Sequence, residues 1–214
     1  TLRSRGLGDV YKRQVHFLMK KNKIKVFDGF GRIKQDKTVE ITNDKESFEI
    51  SAKNIILSTG ARSRDIESLK KDGKKIFGYR DAMTLEEQPK EMVIVGSGAI
   101  GIEFAYFYNA LGTNVTVVEF QNGIAPNEDH DISKELEKIL KKKGINVLTN
   151  SKVVSSKIVD KKVKVDIESD DKKFTIDCDV VLSAVGIKSN IENIGLEELG
   201  VKIEFDKVIV NEYS

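Results

Sequence analysis

Tryptophan is absent from the 214 residues, cysteine occurs once, and proline and histidine occur twice each. Each scarcity closes off a class of function. A lone cysteine, Cys178, can neither close an internal disulfide nor furnish a cysteine-rich metal site, and so small a thiol content fits a reducing, cytoplasmic setting. His16 and His130 stand alone without metal-ligand spacing, so no metal is expected. No apolar run reaches the ~18 to 20 residues of a membrane span, which argues against a membrane partner. An excess of one charge is missing too. Lys plus Arg total 36 against 34 for Asp plus Glu, interspersed along the chain, so no basic field for nucleic acid is present.

What remains is ordinary for a globular chain: 39% hydrophobic residues and 16 glycines. The opening "TLRSRGLGDVYKRQ" lacks Met, the apolar centre of a signal peptide and any periodicity. It resembles a translated sequencing adapter, and residues 1–14 are set aside as a non-native tail, a basic disordered arm being the alternative. From Val15 a helix end, "VHFLMKKN", leads into three alternating segments, "KIKVFDGFGRI", "TVEITN" and "SFEISAKNIILST", separated by turn residues. This is an antiparallel pattern whose last member becomes a buried apolar strand, "NIILST", ending at Gly60.

Residues 62–91 are charged and interrupted by Gly73, Gly78 and Pro89, so they read as a connection with a short helix near "RDAMTLEE". Strand 92–95, a glycine loop, helix 99–110 and strand 115–119 follow. "DISKELEKILKKKG" is an amphipathic helix with Ile132, Leu136, Ile139 and Leu140 on one face, Asp131 as N-cap and Gly144 as its end. After strand "INVLTN", the alternating "KVVSSKIV", "KVKVDIE" and "KFTID" predict a three-stranded antiparallel insertion. "DVVLSAVG" then predicts a buried strand ending at Gly186.

The loop "GSGAIG" carries the chemistry. Gly96 permits the turn, Gly98 lets a pyrophosphate approach backbone N–H groups, and Gly101 lets helix and strand pack closely; the helix N-terminus adds partial positive charge. Alone such a loop is a weak signal, but strand, loop, helix and strand together predict a dinucleotide site. Glu119 lies 21 residues beyond Gly98, close to the ~20 expected for an acid accepting ribose hydroxyls. It would accept two hydroxyls and repel a 2′-phosphate, and "FQNG" after it offers no cation, so NAD is favoured over NADP. Glu103 either complements the helix dipole or faces the ligand. Cys178, in a strand pattern without charged or His partners, reads as a small buried residue.

"KKNKIKVFDGFGRI", "NIILSTGARSRDI", the stretch from "MVIVGSGAIG" to "VTVVEF", "DISKELEKILKKKGINVLTNSKV" and "DVVLSAVGIKSNIENIGLEELGV" together resemble the pyridine nucleotide disulfide oxidoreductases. Within them they are similar to the dihydrolipoamide dehydrogenases, the flavoproteins of the 2-oxo acid dehydrogenase complexes. The resemblance implies an α/β fold: a Rossmann-like NAD-binding domain, with a parallel sheet and the antiparallel insertion, nested in an incomplete FAD-binding domain. The implied limits are 15–61 for part of the FAD domain, 62–187 for the NAD domain, and 188–214 for the return to the FAD domain.

By the same resemblance Gly96, Ser97, Gly98, Ala99, Ile100, Gly101, Ile102 and Glu103 cradle NAD. Glu119 holds its ribose, Val153 lies by the adenine, and Gly186 approaches the nicotinamide. Gly31, Ser58, Thr59 and Gly60 line FAD, and Glu103 faces the nicotinamide and flavin. The implied partners are a second copy and the lipoyl domain of a 2-oxo acid dehydrogenase complex.

The departures matter as much. The family's first FAD glycine motif, its Cys-x4-Cys disulfide and its His-Glu pair have no counterpart here, and Cys178 is not at a redox-cysteine position. The expectation is therefore a fragment that binds NAD(H) without turnover. The alternatives are another flavin disulfide reductase, of glutathione or mercuric reductase type, and a non-catalytic NADH-binding module.

Overall fold

The computed structural model describes residues 6–170 and 172–213, with side chains from residue 13 onward. The chain divides into two compact units. One comprises the residues up to Thr59 together with those from Ile191 onward, the other Gly60–Asn190.

The first unit begins with α1 (Gly6–Lys21), which starts inside the stretch set aside as a tail. Lys20 and Lys21 sit in its last turn, where cations complement the negative end of the helix dipole. Strands β1 (Phe30–Ile33), β2 (Thr38–Thr42) and β3 (Ser47–Ser51) form the expected antiparallel meander. The turn between β2 and β3 is held by Asn43, whose side-chain oxygen accepts the N–H groups of Lys45 and Glu46 at 3.0 Å.

The buried strand expected over "NIILST" is not formed. Ile56 is 89% exposed, and residues 52–60 carry no sheet ladder. A strand buried on both faces needs backbone neighbours to satisfy its N–H and C=O groups, and no strand of the described residues runs beside this one.

The second unit opens with β4 (Ala61–Ser63), β5 (Ile76–Phe77) and α2 (Tyr79–Ala82), the last being the short helix expected near "RDAM" but only four residues long. The strand–helix alternation follows: β6 (Glu91–Val95), α3 (Ala99–Ala110), β7 (Asn114–Val118), α4 (His130–Lys142) and β8 (Asn146–Leu148). Next come β9 (Ser151–Val159), β10 (Lys162–Ser169) and β11 (Lys172–Cys178), paired antiparallel, then β12 (Val180–Ser183) and β13 (Ile187–Ser189), which pairs with β4. The chain returns to the first unit through the hairpin β14 (Ile203–Glu204) and β15 (Lys207–Val208), over a small core of Ile191, Ile194 and Leu196 with Ile33 and Val208.

The centre of the second unit is a five-stranded parallel sheet in the order β5-β12-β6-β7-β8. Period-two alternation sends Met92 and Ile94 of β6 to one face, where Ala105 and Tyr108 of α3 and Leu140 of α4 cover them. Val93 and Val95 point to the other face, under Val153, Val163, Val165 and Ile167 of the antiparallel sheet. Both faces are thus buried, which is why β6 and β12 read as unbroken apolar runs. The α/β class with an antiparallel three-stranded insertion is the one expected.

Asp129, not Asp131, caps α4: its Oδ1 accepts the Asp131 N–H at 2.9 Å. The helix starts at His130, so Asp131 falls in the first turn, where its charge favours the positive helix end.

Candidate nucleotide-binding site

From β6 the chain runs outward through α3 to β7 and onward through α4 to β8, whereas β12 joins β6 on its opposite side. The carboxyl ends of β6 and β12 therefore flank a topological switch point, the place where open α/β sheets hold ligands. Gly96 follows β6 there with φ +100°, and a Cβ on it would lie 2.4 Å from the Ala184 carbonyl oxygen. A Cβ on Gly101, in the first turn of α3, would lie 2.0 Å from the Gly96 carbonyl oxygen. These two glycines let the helix, the loop and β12 touch. Gly98, the N-cap of α3, is different: its φ of −67° suits any residue, and a Cβ would meet nothing within 4 Å. Its missing side chain leaves open space against the positive end of α3.

Across that space stands Glu119, at the end of β7 and only 6% exposed. Its Oε2 accepts the Ser97 N–H at 2.7 Å and the Ser97 hydroxyl at 2.6 Å, and its Oε1 accepts the Gln121 N–H at 2.9 Å. A carboxylate offers about four lone-pair sites, so these three bonds leave about one for a ligand hydroxyl. Gly96, Ser97, Gly98, Glu119, Val153 and Gly186 line one cleft of about 540 Å³, with Val95 and Val118 on its apolar side. A smaller hollow of about 300 Å³ is bounded by Gly98, Ala99, Ile102, Glu103 and Asn127.

Ile100 and Gly101 turn inward instead, Ile100 packing on the core between helix and sheet. Glu103 is exposed, and its side chain makes no hydrogen bond or ion pair among the described residues. Gly31, Ser58 and Thr59 belong to the first unit and Gly60 to the second. A Cβ on Gly31 would make only ordinary contact with Val39, at 3.6 Å, and Ser58 is exposed.

Sequence patterns give no functional role to the loop 120–129, which closes over the glycine turn. Ala125 adopts φ +47°, its N–H donates to the Ser97 carbonyl at 2.9 Å, and its own carbonyl accepts the Glu128 N–H at 2.9 Å and the Ser133 hydroxyl at 3.2 Å. Pro126 and Asn127 thereby enter the cleft lining. Only the "APN" turn composition signals a loop there.

Cys178 is 1% exposed; its thiol points to the Val163 carbonyl at 3.6 Å and is pushed up to about 12 by burial, far from a reactive thiolate. His16 and His130 are exposed. Among the described residues no group of His, Cys, Asp and Glu could hold a metal, and no helix is long and apolar enough to cross a membrane.

A parallel sheet with a glycine turn opening a helix at its switch point defines the second unit as Rossmann-type α/β. The family model described as pyridine nucleotide-disulphide oxidoreductase matches residues 5–214, and the chain belongs to that family. Among curated relatives, dihydrolipoyl dehydrogenase from Rhizobium etli is 38% identical, over 99% of this chain and 47% of the relative. The enzyme of that name from Zymomonas mobilis is 37% identical, over 99% and 46%.

Among solved structures, LpdA from Mycobacterium tuberculosis superimposes with a TM-score of 0.82 at 26% identity, covering 92% of this chain and 44% of that one. A mutant of the HOCl-induced flavoprotein disulfide reductase RclA from Escherichia coli, as its Cu(II) complex, gives 0.82 at 23% identity, covering 95% and 46%, and shows the fold alone. The chain spans about half the length of the curated relatives it matches.

Proposed function

We propose that this chain is the NAD(H)-holding part of a flavin disulfide oxidoreductase of the dihydrolipoamide dehydrogenase kind. The observation that carries the reading is one cleft with open space at Gly98 on one side and the anchored carboxylate of Glu119 on the other. The dinucleotide's pyrophosphate lies against the N–H groups of the glycine turn and the start of α3, where backbone dipoles favour negative charge. Glu119 takes an adenosine ribose hydroxyl and repels a 2′-phosphate, Val153 lies by the adenine, and Gly186 and Glu103 are on the nicotinamide side.

Gly31, Ser58, Thr59 and Gly60 are the residues assigned to FAD, which would supply two-electron transfer in the parent enzyme, where dihydrolipoamide and NAD+ would give lipoamide, NADH and a proton. The parent acts as a homodimer on the lipoyl domain of a 2-oxo acid dehydrogenase complex. The 214 residues contain one cysteine and so no redox disulfide of their own, which limits this chain to nucleotide binding.

Calorimetric titration of the purified chain tests both halves. NADH binds more tightly than NADPH, and Glu119→Ala weakens NADH more than NADPH; an equal loss for both removes Glu119 from its role. The chain oxidises no dihydrolipoamide, and measurable dithiol oxidation would overturn the division between binding and turnover.

A further inference from the structure

Ser97 occupies the second position of the glycine turn, where sequence patterns ask for nothing in particular, yet it is completely buried and makes three contacts. Its N–H and its hydroxyl both donate to Oε2 of Glu119, at 2.7 and 2.6 Å. Its carbonyl accepts the N–H of Ala125, at 2.9 Å, from the loop that closes the cleft. Three separate segments, the glycine turn, the end of β7 and the loop 120–129, are thus tied at one residue.

We infer that Ser97 is a positioning residue for nucleotide selection: by pinning Oε2 it fixes the Glu119 carboxylate facing the ribose, so that the carboxylate cannot turn away from a 2′-phosphate. The inference rests on the NAD(H) site proposed above. A glutamate side chain has three rotatable bonds, and an unpinned carboxylate at the cleft wall would swing aside to relieve repulsion from a phosphate at modest cost. Held by two donors from Ser97 and a third from Gln121, it has one orientation, and its negative charge stays where the 2′-substituent of the ribose must lie. In a buried setting these bonds to an ionised oxygen are of the strong, charge-assisted kind. Selection against NADPH then depends on a residue that needs no contact with either nucleotide's 2′ position.

The test uses NADH and NADPH as probes, with affinities for the 214-residue chain measured by titration calorimetry. Ser97→Ala, which deletes one of the two Ser97 donors, lowers the NADPH-to-NADH ratio of dissociation constants by about threefold to tenfold, less than the full loss of a charge-assisted hydrogen bond because the Ser97 and Gln121 N–H groups still hold the carboxylate. Ser97→Gly, which deletes the hydroxyl and keeps the N–H, moves the ratio in the same direction. In a Glu119→Ala background Ser97→Ala leaves the ratio where Glu119→Ala alone put it, because no carboxylate remains to be pinned.

A loosened site that merely folded less well would weaken both nucleotides alike and leave the ratio unchanged; that result overturns the role. So does a ratio change of equal size in both backgrounds. A chain whose unmodified form shows no preference for NADH fails at the underlying site reading, and Ser97 falls with it. A preference for NADH that is undiminished in Ser97→Ala removes Ser97 alone.

Discussion

The glycine turn supplies a contrast between two substitutions of identical chemistry. Gly98→Ala adds a methyl group at φ −67° and ψ −178°, an extended conformation open to alanine, in space where nothing lies within 4 Å. Two small effects oppose each other. Alanine is a poorer N-cap than glycine, costing roughly 0.5–1 kcal/mol, while the unfolded chain loses flexibility, which stabilises by about 0.4–1 kcal/mol. The net change is within about 1 kcal/mol, or about 2–4 °C in melting midpoint.

Gly101→Ala places its methyl 2.0 Å from the Gly96 carbonyl oxygen, where ordinary contact begins at 3.4 Å. Both partners are backbone, so no side chain can yield, and α3 must withdraw from the turn. Overpacking of this kind costs about 1–3 kcal/mol or more, against a helix-propensity gain of about 1 kcal/mol. With the clash at the severe end, a net loss of about 2 kcal/mol and a midpoint lower by about 4–8 °C are expected.

Nucleotide binding separates the two variants in the opposite sense. In the proposed site the open space at Gly98 is where the pyrophosphate comes close to backbone N–H groups, so a methyl there is expected to cost NADH about 1–3 kcal/mol, roughly fivefold to 150-fold in affinity. Thermal melting and NADH titration of both variants read the two effects. Gly98→Ala that binds NADH as well as the unmodified chain refutes the approach of a dinucleotide to this turn. Gly98→Ala that melts as early as Gly101→Ala refutes the claim that its space is free.

Two further predictions concern titration. The buried thiol of Cys178, pushed up to about 12, stays protonated in the folded chain while an unfolded thiol ionises from about pH 8.5. Stability contributed by this difference is intact below about pH 8.5 and declines as pH rises toward 12, so Cys178→Ala flattens the alkaline fall in stability, and the native thiol resists alkylation at pH 8; prompt labelling there would contradict its burial.

Asp179 works on the acid side. Burial pushes its carboxyl up, but the N–H groups of Glu91 and Lys90, both at 2.9 Å to Oδ2, together with Lys162, hold it below the usual carboxylate range of 3.8. Its contribution is present above that range and is lost as pH falls through the depressed value, so the gap in melting midpoint between the unmodified chain and Asp179→Asn narrows from about pH 6 to about pH 3. A gap independent of pH would show that the charge of Asp179 has no part in holding the start of β6.

The legible parts of the molecule were those whose pattern is set by backbone geometry alone. The apolar runs of β6 and β12 signal burial on both faces, and helix 99–110 is bounded by Gly98 and Gly112 as the sequence indicates. Alternation in 151–178 announces an antiparallel sheet, since period two with one polar face has no other use.

The illegible parts are those decided by partners far away in sequence. "NIILST" has the composition of a core strand, but a strand exists only through its neighbours, and Ile56 lies exposed. The loop 120–129 carries no motif because its place over the glycine turn depends on a backbone bond from Ala125 to Ser97. Ser97 itself is the sharpest case. In a GxGxxG pattern it is the position that carries no rule, and only the fold, by bringing the end of β7 within 2.6 Å of its hydroxyl, gives that position its work. The spacing between Gly98 and Glu119 thus has two consequences: it carries an acid to where a ribose would lie, and it carries the same acid to the residue that holds it still.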